Sequence, residues 1–264
     1  MPQTAPVRVL VVIPSRLKSD ASGALFLRRA VRSVVDQRPS RSVEIEISVG
    51  VDPGADTLNL GFGPFVRFFA AHEAMQSAAL NAAAKSLNHD FIAFLEDDDT
   101  WSDNFLDVAL RALDSVDFVS STQLEVNGRG EVVCINDFPT PSGWIIRRGL
   151  WESVGGFDES YRFHLDNEWL GRLAESGAKR THLIESTAPL RSELVATLRP
   201  RLNFVLTHGG PNIRLRRHRF AVPLVRRLVH PGSGMSQILT QKASSAISQA
   251  EHRRLMQRYG RLPW

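Results

Sequence analysis

The chain has 264 residues, 43% of them hydrophobic, with 32 basic and 28 acidic side chains and a formal net charge of +4. That length and apolar content give one large domain or two small ones with ample core material, and they exclude the disordered and fibrous classes. A single cysteine, Cys134, excludes an internal disulfide; it lies in a strand-like run and reads as a buried, inert thiol, with neither zinc nor redox chemistry indicated.

Apolar runs near the start, such as VRVLVVIP, are too short to span a bilayer, and no charged leader precedes a signal-like segment, so the expectation is a soluble cytoplasmic protein. The charge is unevenly spread. Between Leu194 and Ala250 there are eight arginines and Lys242 but no acidic residue, which leaves the rest of the chain net negative and separates a basic segment from an acidic one.

Val7 to Ile13 is a run of β-branched residues and leucine closed by Pro14, the pattern of a strand buried on both faces. Leu27, Ala30, Val31, Val34 and Val35 follow at helical spacing and predict a helix over 24–37 with one buried face. Val43, Ile45, Ile47 and Val49 alternate with Glu44, Glu46 and Ser48, a second strand, whose exit carries Asp52 in the turn-rich loop GVDPGADT. Phe65 to Phe69 reads as a further short strand and the alanine-rich stretch from Glu73 to Leu87 as a helix. Phe91 to Leu95 is apolar and runs directly into Glu96, Asp97, Asp98 and Asp99. Two readings compete for this run. The acids cap a helix beginning near Ser102, or they form a hard oxygen site for Mg2+ or Mn2+ that relieves their mutual repulsion.

Alternation of strand and helix through residue 120 predicts an α/β domain with a largely parallel sheet, whose ligands bind outside the carboxyl ends of the strands. Ser15, Arg16, Asp52 and the acidic run all fall at such ends. Beyond them, DFVSS and EVVCIN read as strands around the turn NGRG, and SGWIIRR places Trp144 beside a short strand, where its ring serves a sugar face or the core. A helix over 166–176 opens on Asp166, Asn167 and Glu168, Asp166 being a natural N-cap, and Arg180 to Ile184 reads as a last strand. Met235 to Tyr259 reads as one long helix with an apolar stripe through Leu239, Ala243, Ala246 and Ala250 that caps the domain or forms a homodimer contact.

Taken in order, Pro14, Asp52, Asn81 and the run from Glu96 to Asp99 resemble the pattern of the inverting family 2 glycosyltransferases of the GT-A fold. The stretch GWIIRRGLWESVGGFDESYRFHLDNEWLGRLAESG is similar to that family's acceptor-side block, so the resemblance covers about Val7 to Ile184. It implies a Rossmann-like, mixed but mostly parallel sheet flanked by helices. The expected division is a nucleotide-sugar half over 1–120, an acceptor half over 121–185, and a basic, partly helical extension over 186–264.

The resemblance also implies roles. Asp52 and the backbone near Pro14 would hold the nucleotide base, with Ser15, Arg16 and Asn81 in the same donor site and Asp97 near the ribose. Asp98 would coordinate the cation, with Asp99 and Glu96 as neighbouring candidates. Asp166 would be the general base, and Trp144, Asn167 and Glu168 would lie on the acceptor side. RRLVHPGSGMS is similar to a late family element whose histidine reaches the metal, making His230 the candidate and His208 its rival. The implied activity is metal-dependent, inverting transfer of a sugar from a nucleotide-diphosphate donor to an acceptor hydroxyl on a saccharide, a lipid-linked compound or a small molecule.

The run RLRRHRF supports phosphate binding, a peripheral contact with an anionic membrane, or a solvated face; nucleic acid is not expected, because no recognised module accompanies the charge. Leu165 and Leu80 stand where the family often has Glu and Arg, which motivates a second reading as a nucleotide-sugar-binding or scaffolding protein without catalysis. A nucleotidylyltransferase would need a glycine-rich loop after the first strand, and IPSRLKSD has none.

Overall fold

A computed structural model describes residues 5–17, 21–57, 60–85, 88–183 and 223–263. The first strand, β1 (Val7–Ser15), is the axis of the molecule. Val9, Val11 and Ile13 project into one apolar cluster and Leu10 and Val12 into another, all with no exposed surface, so both faces of the sheet are covered. Burial of each such side chain contributes roughly 1.5–3 kcal/mol before chain entropy is counted.

Around β1 the sheet grows in both directions. On one side lie β2 (Val43–Val51) and β3 (Val66–Ala70); on the other lie β4 (Phe91–Phe94), β9 (Ile145–Arg147), β6 (Phe118–Ser121) and β10 (Arg180–Leu183). Every pairing is parallel except those of β9, which runs antiparallel to both β4 and β6. The result is the largely parallel sheet the alternating pattern predicts, made mixed by β9 as the resemblance implies. A second sheet contains β5 (Thr100–Trp101), β11 (Val225–Leu228), β7 (Gln123–Val126) and β8 (Val132–Asn136) in that order.

Helices α1 (Ala21–Val35) and α3 (Phe105–Ala112) cover one face. Leu27, Ala30, Val31 and Val34 of α1 are buried as their spacing predicts, whereas Val35, at the end, is half exposed. The other face is covered by α2 (Gln76–Ala83), α4 (Arg148–Val154) and α5 (Leu165–Glu175). Helix α2 is shorter than its alanine-rich sequence suggests and sits unusually close to the sheet. A Cβ at Gly50 would lie 1.9 Å from the Ala79 carbonyl oxygen, so only glycine allows this approach.

Two expectations change near the carboxyl end. The stretch from Met235 to Tyr259 forms two helices, α6 (Gly234–Thr240) and α7 (Lys242–Tyr259), because Gln241 between them is extended at φ −118°, ψ 118°. The expected stripe is also not the buried face: Leu239, Ala243, Ala246 and Ala250 face solvent, and the buried face of α7 is Ser244, Ser248, Glu251 and Leu255. A helix face with that many polar groups is held by hydrogen bonds as much as by packing. Cys134 also differs from expectation, being partly exposed with its thiol 3.1 Å from Glu125 Oε2. Among the described residues no helix is long and apolar enough to cross a membrane. His208 and the RLRRHRF run lie outside the described residues.

Candidate active site

Strand β4 ends at Phe94, and the chain then passes through buried Leu95 into the four acids, as its sequence suggests. Ligand atoms of Glu96, Asp98 and Asp99 lie within 4.8 Å of one another. Asp99 is 1% exposed and tied down twice, accepting from Ser142 Oγ at 2.6 Å and from the Leu228 amide at 3.0 Å. Glu96 accepts from Gln76 Nε2 at 2.8 Å, which is where α2 meets the site, and its own amide donates to Ser142 Oγ at 3.0 Å. Asp97 turns the other way and accepts from Ser15 Oγ at 2.5 Å. The helix-capping account therefore fails for these residues: Glu96, Asp97 and Asp99 make their described bonds to the sheet ends and the Pro141–Gly143 turn, not to the amides opening α3.

Burial and repulsion act together on this cluster. Burial, then the Asp98 charge, raises Glu96, and the same two causes push Asp99 well above the ordinary carboxylate range. Burial, followed by Asp98, brings Asp97 up to about 7, although the Ser15 hydroxyl opposes the rise. Burial and repulsion that oppose the ionisation of Glu96, Asp97 and Asp99 fit a hard divalent cation, whose charge would reverse that cost. Every donor in the trio of Glu96, Asp98 and Asp99 is oxygen, the ligand type Mg2+ and Mn2+ favour.

Arg227 on β11 is the cluster's protein counter-charge. Burial opposes its ionisation, but Glu96, Asp99, Glu125 and Asp98 together outweigh that and raise it, and it pairs with Glu125 at 3.0 Å. His230, just beyond β11, meets Asp98 Oδ2 through Nε2 at 2.8 Å, while the Gly232 amide donates to its Nδ1 at 3.2 Å. That hydrogen bond to Asp98 is the main cause raising the His230 pKa, against partial burial.

Asp166 opens α5 and is half-buried. Burial raises its carboxyl above the ordinary range, although the Asn167 amide, donating at 2.8 Å, opposes this. The Asp166 charge also contributes to the rise at Glu96, and Arg227 acts on both. Asp166 and Glu96 thus lie near enough to act on one another electrostatically. Pro14 lies opposite Gly50 in the β1–β2 register, so the exits of β1 and β2, with Ser15, Arg16 and Asp52, lie beside one another along the same edge.

Other sequence candidates sit elsewhere. Trp144 has no exposed surface; Phe94, Phe118, Phe157 and Trp169 surround its ring and its Nε1 donates to the Pro139 carbonyl, leaving no face for a sugar. Asn167 is buried and donates to the Pro263 carbonyl. Glu168, 1% exposed, is taken up by a bidentate pair with Arg172, at 2.7 to 3.1 Å, and by Arg258. Asn81 clamps the loop before α5: its amide donates to the Phe157 carbonyl and Glu159, and its oxygen accepts from the Phe157 amide. These four hold structure, because each polar group is already satisfied by the protein.

Gln76, Ser142 and Arg227 are site residues that sequence reasoning does not single out. Only Arg227 left a signal, since it falls within the RRLVHPGSGMS element.

A seven-stranded, mostly parallel sheet with carboxylates at the strand exits and a further carboxylate on a facing helix is the GT-A architecture. Residues 11–132 match the family model for glycosyl transferase family 2. No curated protein sequence matches the chain.

Solved structures of similar fold include S. aureus TarS 1-349 in complex with UDP, at 14% identity and a TM-score of 0.52, covering 91% of this chain and 65% of that one. The same protein in complex with UDP-GlcNAc aligns at 15% identity and TM-score 0.53, over 87% and 61% of the two chains. A mannosyltransferase from Pyrobaculum calidifontis, PcManGT, in complex with GDP-Man and Mn2+, aligns at 15% and 0.50, over 67% and 55%. The chain thus spans between 55% and 65% of these three structures.

Proposed function

We propose that this chain is a metal-dependent, inverting glycosyltransferase acting on a nucleotide-diphosphate sugar. The observation that carries the reading is the convergence of Glu96, Asp98 and Asp99 within 4.8 Å, with the Asp166 carboxylate near enough to act on Glu96. The family 2 match over residues 11–132 supports it, as do similar folds that hold UDP, UDP-GlcNAc, and GDP-Man with Mn2+.

The donor would lie along the sheet edge. Asp52 and the backbone at Pro14 would face the base, Asp97 would face the ribose with Ser15 orienting it, and Arg16 would stand by the phosphates. Asp98, with Glu96 and Asp99, would hold Mg2+ or Mn2+, and the bound cation would supply positive charge to the departing diphosphate. His230, 2.8 Å from Asp98, would orient that carboxylate. Asp166 would accept the proton of the acceptor hydroxyl as its oxygen bonds to the anomeric carbon. The bond from that carbon to the diphosphate breaks in the same step, its electron pair leaves with the nucleoside diphosphate, and attack from the opposite face inverts the centre. A carboxyl raised by burial is suited to this, since a base with a pKa nearer the working pH takes the proton more effectively.

The test combines binding and turnover. Thermal shifts with UDP-GlcNAc and GDP-Man, each with and without Mn2+, identify the nucleotide; nucleoside diphosphate release then measures transfer. Asp166→Asn is expected to lower kcat by roughly 10²–10⁴-fold with donor affinity kept, and Asp98→Ala to abolish the Mn2+-dependent shift. Donor binding with no turnover across an acceptor panel would favour a binding or scaffolding protein, and full activity in both variants would end the assignment.

A further inference from the structure

The C-terminal helix α7 brings a buried acid to the segment that carries Asp166. Glu251 is 2% exposed. Its Oε1 accepts the Arg162 amide at 2.7 Å, and its Oε2 accepts the Phe163 amide at 2.9 Å and the His164 amide at 3.0 Å. Three successive backbone donors therefore converge on one carboxylate, immediately before α5 begins at Leu165. The His164 side chain does not cap that helix. A carboxylate at the positive end of α5 satisfies donors there and is favoured by the helix dipole.

Around Glu251 the same helix makes a continuous set of contacts with this segment. Ser248 Oγ meets His164 Nε2 at 2.8 Å, while His164 Nδ1 meets Asn167 Oδ1 at 3.1 Å. Arg254 lies 4.1 Å over the Tyr161 ring and donates to the Ser160 carbonyl at 2.9 Å, and Arg258 reaches Glu168. Gly171 of α5 admits the Tyr259 ring so closely that an added Cβ would lie 2.4 Å from it. Residues 160–168 are thus fixed from outside by α7, with Asp166 in their midst.

We infer that Glu251 is a positioning residue for Asp166, fixing through the Arg162–His164 backbone the direction in which that carboxylate meets the acceptor hydroxyl. The inference rests on the proposed base role of Asp166. Burying a carboxylate is costly unless its hydrogen bonds are good, and an apolar residue would pack this face of α7 without that cost; the acid specifies the backbone path instead. A displacement of about 1 Å in a reacting group costs on the order of 10²-fold in rate. Loss of the three amide contacts therefore falls on kcat, while donor affinity, set at the far side of the site by the strand exits, stays.

The experiment uses the full chain with Mn2+ and whichever of UDP-GlcNAc and GDP-Man it turns over faster. Glu251→Ala is expected to lower kcat roughly 10–100-fold with the donor KM within about twofold of wild type. Glu251→Gln, which keeps an oxygen for only part of the amide set, should fall between them and serves in place of alanine if that variant does not fold. The deciding comparison is the pair of Asp166→Asn and Asp166→Asn with Glu251→Gln. If Glu251 acts through Asp166, the double variant is no slower than Asp166→Asn alone. A multiplicative loss in the double variant overturns the positioning role while leaving the base in place, and so does an unchanged kcat in the Glu251 variants. Full activity in Asp166→Asn, or turnover of neither donor by the wild type, removes the base reading and the positioning role with it.

Discussion

Ser142 joins two carboxylate-bearing positions through one hydroxyl. Its Oγ donates to Asp99 Oδ2 at 2.6 Å and accepts the Glu96 amide at 3.0 Å, and the residue has no exposed surface. Ser142→Ala removes one oxygen, opens almost no cavity, and leaves a buried carboxyl oxygen and a backbone N–H without that partner. Each group so orphaned costs roughly 1–3 kcal/mol, which gives about 4 kcal/mol for the pair. With a urea m-value of about 3 kcal/mol per molar, the unfolding midpoint should fall by about 1 M or somewhat more at unchanged m. The Ser142 hydroxyl also opposes the rise of the Asp99 pKa, so its loss should push Asp99 higher still and, on the proposed metal role, weaken Mn2+ capture at neutral pH. Urea titration followed by tryptophan fluorescence, with and without Mn2+, measures both effects. A loss below about 1 kcal/mol would mean that the bridge contributes little and that the acidic turn holds its shape by other means.

Two further outcomes follow from buried charge. Arg172 holds Glu168 in a bidentate pair and donates to the carbonyls of Val154, Gly155 and Gly156. Arg172→Ala should cost roughly 3–5 kcal/mol by leaving a buried carboxylate short of its main partner, and Arg172→Lys should recover only a minor part, because an ammonium cannot reproduce the planar fork; equal denaturation midpoints for wild type and alanine variant would refute this. His182, buried on β10 with Nδ1 2.8 Å from Ser120 Oγ, is pushed down to about 4 by burial. Between the ordinary 6.5 and 4 the unfolded chain binds the proton and the folded one does not, so stability is whole above pH 6.5 and falls by about 3 kcal/mol as pH drops to 4. The raised carboxylates contribute slopes of opposite sign, so the measurement is the difference between wild type and His182→Gln across that window. Parallel curves would contradict the assignment.

The features legible in the sequence are those written locally. The β1 run, the alternation in β2 and the apolar stretch flowing into four acids each fall within about ten residues, where period and composition determine the element. Asp166 was legible for the same reason, being an acid at the start of a helical pattern. Ser142, Gln76 and Glu251 were not, because their importance arises from pairing: Ser142 meets Asp99 across 43 positions, and Glu251 meets the Arg162 amide across 89. Trp144 shows the limit of residue type. An indole suits a sugar face and a core equally well, and only its burial among Phe94, Phe118 and Trp169 decides between them. The α7 stripe misled in another way, since alanines mark a face as apolar without requiring burial, and the buried Ser248 and Glu251 are placed by the hydrogen bonds they make to the segment just before α5.

Strand β11 gives the site a place in time. It lies parallel to β7 and antiparallel to β5, and its Leu228 amide and Arg227 side chain complete the surroundings of Asp99 and Glu96. During synthesis, a chain that has emerged only as far as β10 holds every strand of the larger sheet but lacks these groups, while its acids already stand crowded together. Bringing β11 back to β5 and β7 from so far along the sequence carries an entropic cost that must be met before the contacts it brings can repay it. The acidic turn is therefore encoded early and completed late, and a nascent chain can form the larger sheet before the acidic cluster has its β11 contacts.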